Sequence, residues 1–377
     1  MKEHLLIVGG GVIGLSAAFE CARRGFRITV LERGDCGGQA SGAAAGMLAP
    51  FSENVEGPDD FFRLCLDSLR LYPEWQAEVK HISGADFEYS KSGSLYAVSH
   101  EADLLGLEAR RAWQKSFGAT PDIVEGEALS RLEPKLGPDV KAALFHPEES
   151  HVYAPDYVRS LEHACRKLGV EIRERLGELR ITGMQEGALR VTDEAGTVYE
   201  ADRYIICTGA WAGLFGVYTE LNIPIYPIRG QICAYRLPED APVRHIVFGS
   251  QGYVVPKANG TLVCGASEDI AGFDTSVTEN GISRLLRWNH RLLPFLSGLE
   301  PHHKWAGLRP ATQDGYPLLG PLARNERIVF AGGHYRNGIL LSPATGHAVA
   351  DLIEGRTPRT PLDRFAPERF TLSSSFR

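Results

Sequence analysis

The stretch Leu5-Leu6-Ile7-Val8-Gly9-Gly10-Gly11-Val12-Ile13-Gly14 carries most of the information about the fold. Four apolar residues make a short strand, the glycines a tight turn, and Ala17, Ala18, Cys21 and Ala22 the small inner face of a helix. Gly9 permits the turn, Gly11 lets backbone approach a pyrophosphate, and Gly14 lets helix and strand pack closely. Val12 and Ile13 stand at the helix start, where free N–H groups attract phosphate. Gly25 ends the helix, Arg27 to Leu31 form a second strand, and Glu32 lies at its carboxyl end, 18 positions after Gly14, with Arg33 next to it. A carboxylate there can accept both ribose hydroxyls of an adenosine. The unit therefore predicts dinucleotide binding, against the alternative of a glycine-rich turn with a solvated glutamate.

The chain around this unit has 377 residues, which suggests two domains, interleaved in sequence, with ample core. Its 40 basic and 47 acidic residues give a formal charge of −7, which argues against nucleic-acid binding. Seven cysteines without a C-x-x-C pair suggest neither a disulfide framework nor a thiolate zinc site. His302 and His303 are adjacent, so on an extended strand they point to opposite faces and do not chelate one metal. No metal is expected. The early apolar run is cut by glycines and makes a poor signal peptide, and no run reaches the roughly 18 residues needed to span a bilayer. A cytoplasmic protein is expected.

An acid at position 32 disfavours NADP and leaves NAD and FAD. The following run, Gly37 to Met47, contains Ala40, Ser41, Ala45 and Gly46 and is almost entirely small. Such a run suits backbone packed along an extended cofactor; a surface loop is the alternative. Further on, Pro155 and Asp156 open a helix with Val158, Leu161, Cys165 and Leu168 on one face, and a strand starts at Val170. Tyr204 to Cys207 reads as a buried strand ending in a sharp turn, Thr208 to Trp211. Gly93–Val98, Gly230–Tyr235, Gly252–Val255 and Thr261–Cys264 suit an antiparallel sheet, and Gly281 to Leu293 a helix. Arg327 to Ala331 is an apolar strand, and Ser342-Pro343 reads as the N-cap and first-turn proline of a helix running to about Glu354.

The segment Gly9 to Glu32, together with Ser41-Gly42-Ala43-Ala44-Ala45-Gly46-Met47-Leu48, Trp305-Ala306-Gly307-Leu308-Arg309-Pro310 and Gly333-His334-Tyr335-Arg336-Asn337-Gly338-Ile339-Leu340-Leu341, resembles the D-amino-acid oxidase family of flavoproteins. Within it, the chain is most similar to the glycine-oxidising branch associated with thiamine synthesis. The resemblance implies an α/β and α+β architecture: a discontinuous Rossmann-like FAD-binding domain (1–85, 145–215 and 305–370) and an antiparallel-sheet substrate-binding domain (86–144 and 216–304), with 371–377 a loose tail. It implies FAD as cofactor, with His334, Tyr335, Arg336, Asn337, Gly338, Ile339 and Leu340 lining the flavin alongside Met47. In monomeric sarcosine oxidases a cysteine near this late loop attaches the flavin; here no cysteine follows Cys264, so FAD is expected to be noncovalent.

The resemblance also implies a small amino-acid substrate, oxidised to an imine with oxygen as acceptor and hydrogen peroxide as product, in a homo-oligomer that is a tetramer among relatives. Arg309 has apolar neighbours, where a permanent cation needs an anionic partner. That partner is an internal acid or, as in the family, the substrate carboxylate. Tyr253 matches the family's active-site tyrosine, sharing the carboxylate with Arg309, and Arg336 matches a position near substrate and flavin. Met47 and Tyr96 are candidate pocket walls. Glu268, in Ser267-Glu268-Asp269, departs from the expected pattern: inward it would attract an amine, outward it is a solvated loop acid. Alternative activities are oxidation or dehydrogenation of sarcosine, D-alanine or proline, or a flavin-binding RNA-modification module. The acidic balance disfavours the last.

Overall fold

The computed structural model describes residues 3–54, 57–185, 188–213 and 223–370. A six-stranded sheet runs in the order Leu318–Leu322, Asn325–Gly332, Arg203–Ile206, His4–Val8, Arg27–Leu31, Glu171–Arg173. The first pair is antiparallel and the others are parallel. Leu5 and Ile7 join one core cluster and Leu6 and Val8 the other, so both faces are covered. That is why the opening run is continuously apolar rather than alternating. The helices Val12–Arg23, Asp60–Ser83, Ala154–Lys167 and Gly338–Ile353 cover one face. A small antiparallel sheet, Arg180–Gln185, Ala188–Thr192 and Val198–Tyr199, covers the other. Gly14 is required by the packing: a Cβ there would lie 1.9 Å from the Gly9 carbonyl oxygen.

An eight-stranded sheet forms the other half, in the order His303–Thr312, Ile225–Arg236, Thr261–Gly265, Gly252–Pro256, Ile246–Gly249, Ser94–Val98, Ala142–His146, Asp122–Glu125. It is antiparallel except at one place, where Ile246–Phe248 run parallel to Ser94–Tyr96. Those two strands come from separate excursions of the chain, so no hairpin dictates their direction. The helix Glu279–Leu292 packs on this sheet through Ile282, Leu285, Trp288 and Leu292. The expected boundary at 305 falls inside the strand His303–Thr312, which pairs over ten residues with Ile225–Ala234 and so belongs to this second sheet. The expected boundary at 215/216 and the tail 371–377 lie outside the described residues.

The last long helix corrects the reading of Ser342-Pro343 as its start. It begins at Gly338, with Asn337 as N-cap, and ends at Ile353, leaving Pro343 inside it. A proline there leaves the carbonyl four residues earlier without its N–H donor. Tyr72 Oη and Ser342 Oγ donate to that oxygen, on Ile339, at 2.6 and 2.8 Å. One residue on, Ser68 Oγ donates to the Leu340 carbonyl at 2.6 Å and accepts from Ala344 N at 3.2 Å. Polar side chains of the helix Asp60–Ser83 thus replace the lost ladder. Among the described residues, no helix is long and apolar enough to cross a membrane.

Candidate active site

The strand His4–Val8 and its parallel neighbours end at a cleft of about 370 Å³. Of the expected cofactor residues, Gly9, Gly11, Val12, Ile13, Glu32, Arg33, Ala40, Ser41, His334, Tyr335, Arg336, Gly338 and Ile339 line it. Gly14, Ala45, Gly46, Met47, Asn337 and Leu340 do not. Gly14 seats the helix on the strand, Asn337 caps the late helix, and Leu340 is buried in the core. Gly46 has φ +80° with no room for a Cβ against the Val152 carbonyl, and Met47 pairs with His151 in a small sheet. The cleft is also walled by Glu178 to Ile181, Leu308, Pro310 and Ala331 to Gly333, which the sequence reading did not assign to a site, and by Gln39 and Ala44 of the small-residue run and Cys207 to Trp211 at the sharp turn after the buried strand, both of which it singled out.

The nucleotide end is organised by Glu32, whose two oxygens accept from Gly10 N at 2.7 Å and Gly34 N at 2.8 Å. Each oxygen has a further lone pair. Arg33 lies over the Trp211 ring at 5.0 Å. In the wall between, Thr208 Oγ1 is buried with no protein partner. Two helix starts, at Val12 and Gly338, reach the same cleft, and each presents N–H groups and partial positive charge. A glycine-lined cleft with an orphaned hydroxyl, two helix N-termini and a carboxylate at the strand end fits a dinucleotide. His334 is buried and held neutral, its pKa pushed down to about 3, with Nε2 3.0 Å from Thr345 Oγ1.

Arg336 joins the cleft to a cluster of charged groups. Its guanidinium reaches Glu53 Oε1 at 3.2 Å and Glu268 Oε1 at 3.4 Å. Arg309 extends from the strand His303–Thr312, with Nη1 donating to the Ser267 carbonyl at 3.0 Å. Its guanidinium lies across Gly230, where a Cβ would come within 2.2 to 2.4 Å of its atoms. Tyr253 is buried, and its hydroxyl faces Arg309; a Cβ on Gly265 would strike that hydroxyl. Burial raises the Tyr253 pKa while Arg309 and Arg336 oppose it, so the phenol stays a donor at neutral pH. Tyr335 also faces Glu268, and its φ of 46° marks backbone strain beside the cluster. Met47 and Tyr96 border the apolar cluster that contains Tyr253, and the Arg110 guanidinium stacks on Tyr96 at 4.1 Å.

Glu53 escaped the sequence reading because nothing local marks it. It ends a four-residue helical turn, Pro50–Glu53, fixed by remote side chains. Glu149 Oε1 accepts from Phe51 N at 2.6 Å and Ser52 N at 2.9 Å, and Oε2 accepts from Ser52 Oγ at 2.6 Å and from Ser94 Oγ. Arg110 and Gln114 donate to the Phe51 carbonyl at 3.1 and 2.9 Å. Burial raises the Glu53 pKa against the pull of Arg336 and Arg309, and Glu53 is in turn the main reason the Arg336 pKa is raised. Among the described residues, one group brings three metal-type ligands together, Cys36, Glu162 and Glu174. Arg166 already bonds both of its carboxylates, at 2.7 Å each.

A family model described as FAD dependent oxidoreductase (DAO) matches residues 4–352. The chain belongs to this family. It is an FAD-dependent oxidoreductase. Over 371 residues it is 34 % identical to the glycine oxidase of Bacillus licheniformis, covering 98 % of each chain. It is also 34 % identical to the bifunctional protein ThiO/ThiG of Trichormus variabilis, matching 56 % of that longer protein with the whole of this chain. The crystal structure of glycine oxidase from Geobacillus kaustophilus superposes with a TM-score of 0.92 at 31 % identity, covering 98 % of this chain and 99 % of that one.

Proposed function

We propose that this enzyme oxidises glycine, and with it sarcosine or small D-amino acids, to the imine, which hydrolyses to the 2-oxo acid while oxygen becomes hydrogen peroxide. The observation that carries the reading is the Arg309–Tyr253 pair, enclosed beside Arg336 at the end of the FAD cleft. A planar guanidinium holds a carboxylate by two parallel bonds and fixes its tilt. Arg309 bonds the Ser267 carbonyl through Nη1 and lies against the Tyr253 hydroxyl; in this reading its guanidinium and that protonated hydroxyl both donate to the substrate carboxylate. Bound FAD supplies the acceptor for the electron pair and hydrogen leaving the amine carbon. The protein's own contribution is placement: holding reacting atoms roughly 3 to 3.5 Å apart contributes several kcal/mol.

FAD binds noncovalently in this reading. Gly9, Gly11, Val12 and Ile13 cradle its pyrophosphate, Glu32 and Arg33 hold its adenosine, and Ala40, Ser41 and the His334–Ile339 segment hold the flavin end. The six-stranded and eight-stranded sheets serve as cofactor and substrate domains. Likeness to relatives named glycine oxidase and ThiO/ThiG supports a role in supplying thiazole formation for thiamine. The proposal extends to a cytoplasmic homo-oligomer, a tetramer. A peroxide assay over glycine, sarcosine and D-alanine tests the activity: turnover of glycine is expected, and silence with all three on the FAD-loaded protein refutes it.

A further inference from the structure

Resting on the reading of Arg309 as the holder of a substrate's α-carboxylate, we infer that Glu268 restricts this site to amino acids with a single carboxylate. The residue is held in place by its neighbours. Ser267 N donates to the Gln231 carbonyl at 3.1 Å, and Gln231 N donates back to Ser267 Oγ at 3.0 Å. Asp269 and Arg229 exchange backbone bonds at 2.9 and 3.0 Å. The acid between them is thus pinned along the strand Ile225–Arg236, one residue after the carbonyl that holds Arg309.

Its half-exposed carboxylate stands at the mouth of the cluster, 3.4 Å from Arg336 Nη1 and facing the Tyr335 hydroxyl. The other arm of Arg336 is taken by Glu53 at 3.2 Å. Both arms of this second guanidinium therefore already carry the enzyme's own carboxylates, and Arg309 is left as the receiver of substrate charge. A substrate with one carboxylate meets no conflict, and its amine gains a nearby anion. A second carboxylate near the mouth must face Glu268 or displace it from Arg336. Like charges set against each other in a partly desolvated site are a means of rejecting the wrong ligand.

The test uses non-reacting acids on the FAD-loaded protein, with dissociation constants read from the perturbation of the flavin absorbance. Acetate carries one carboxylate; diglycolate carries two at the spacing of an N-carboxymethyl glycine. The wild type should bind acetate in preference to diglycolate. Glu268→Gln keeps the shape, removes the charge and frees one arm of Arg336, so it should shift the diglycolate-to-acetate preference toward the diacid by at least about tenfold. Glu268→Lys should shift it further. A preference unchanged in both variants, or a wild type that already takes diglycolate as well as acetate, overturns the inference. Failure of the underlying reading shows separately, as a wild type that binds no acetate and turns over no glycine, and it removes the inference with it.

Discussion

Replacing Gly230 by Ala should disable the carboxylate clamp without removing a charge. The position has ordinary strand geometry, paired with Gly307 across the sheet, so alanine is compatible with the backbone. What the new methyl meets is the head of Arg309: Nη1 at 2.2 Å, and Cζ and Nη2 at 2.4 Å. Ordinary contact starts near 3.4 Å, so the guanidinium must retreat by about 1 Å, and a flexible side chain can do so at little cost to the fold. That shift opens the 3.0 Å bond to the Ser267 carbonyl and turns the fork away from Tyr253. A charge-assisted bond contributes about 1.5 to 3 kcal/mol, so losing the alignment of one should weaken acetate binding by at least about tenfold. The assay is the acetate dissociation constant from flavin absorbance, with FAD content and thermal midpoint as controls. Wild-type acetate affinity in a yellow, stable Gly230→Ala protein would refute the placement of Arg309.

Gly14→Ala should cost the cofactor itself, because its Cβ would sit 1.9 Å from backbone that cannot rotate away; purified protein should be deficient in FAD and less stable by about 1 to 3 kcal/mol. Glu149 tests the buried turn through pH. Burial raises its pKa from 4.5 to about 7, so the native state favours the protonated form. Its contribution is fully present below the unfolded value of 4.5 and is lost as pH rises through 7. Relative to Glu149→Gln, the wild type should lose up to about 3 kcal/mol between about pH 4.5 and pH 7. Thermal midpoints of the two proteins across that range check it; a constant difference would contradict the shift.

The sequence shows the parts of this fold whose cause is local. The run Leu5 to Val8 is apolar because both faces of its strand are covered, and Gly14 is small because a carbonyl sits against it. The start of the last helix was not legible, because Ser342-Pro343 has the local form of a helix start. Ser68 and Tyr72, far away in sequence, carry the helix through the proline. The site divides in the same way. Arg309 stands out as a cation among apolar residues, whereas Tyr253 and Arg336 came into view by family resemblance. Glu53 had no local signal, since its position depends on Glu149, Arg110 and Gln114 gripping the preceding turn. Glu268 was visible as an unusual acid, but its direction was not; only the pairing of Ser267 and Asp269 with the adjacent strand sets it toward Arg336.

Mixing glycine with the FAD-loaded enzyme in the absence of oxygen examines the central claim without any coupled assay. The wild type should lose its yellow colour, and Arg309→Met, loaded equally with FAD, should stay yellow at the same glycine concentration. A wild type that keeps its colour with glycine, sarcosine and D-alanine, or an Arg309→Met protein that bleaches as readily as the wild type, would contradict the account.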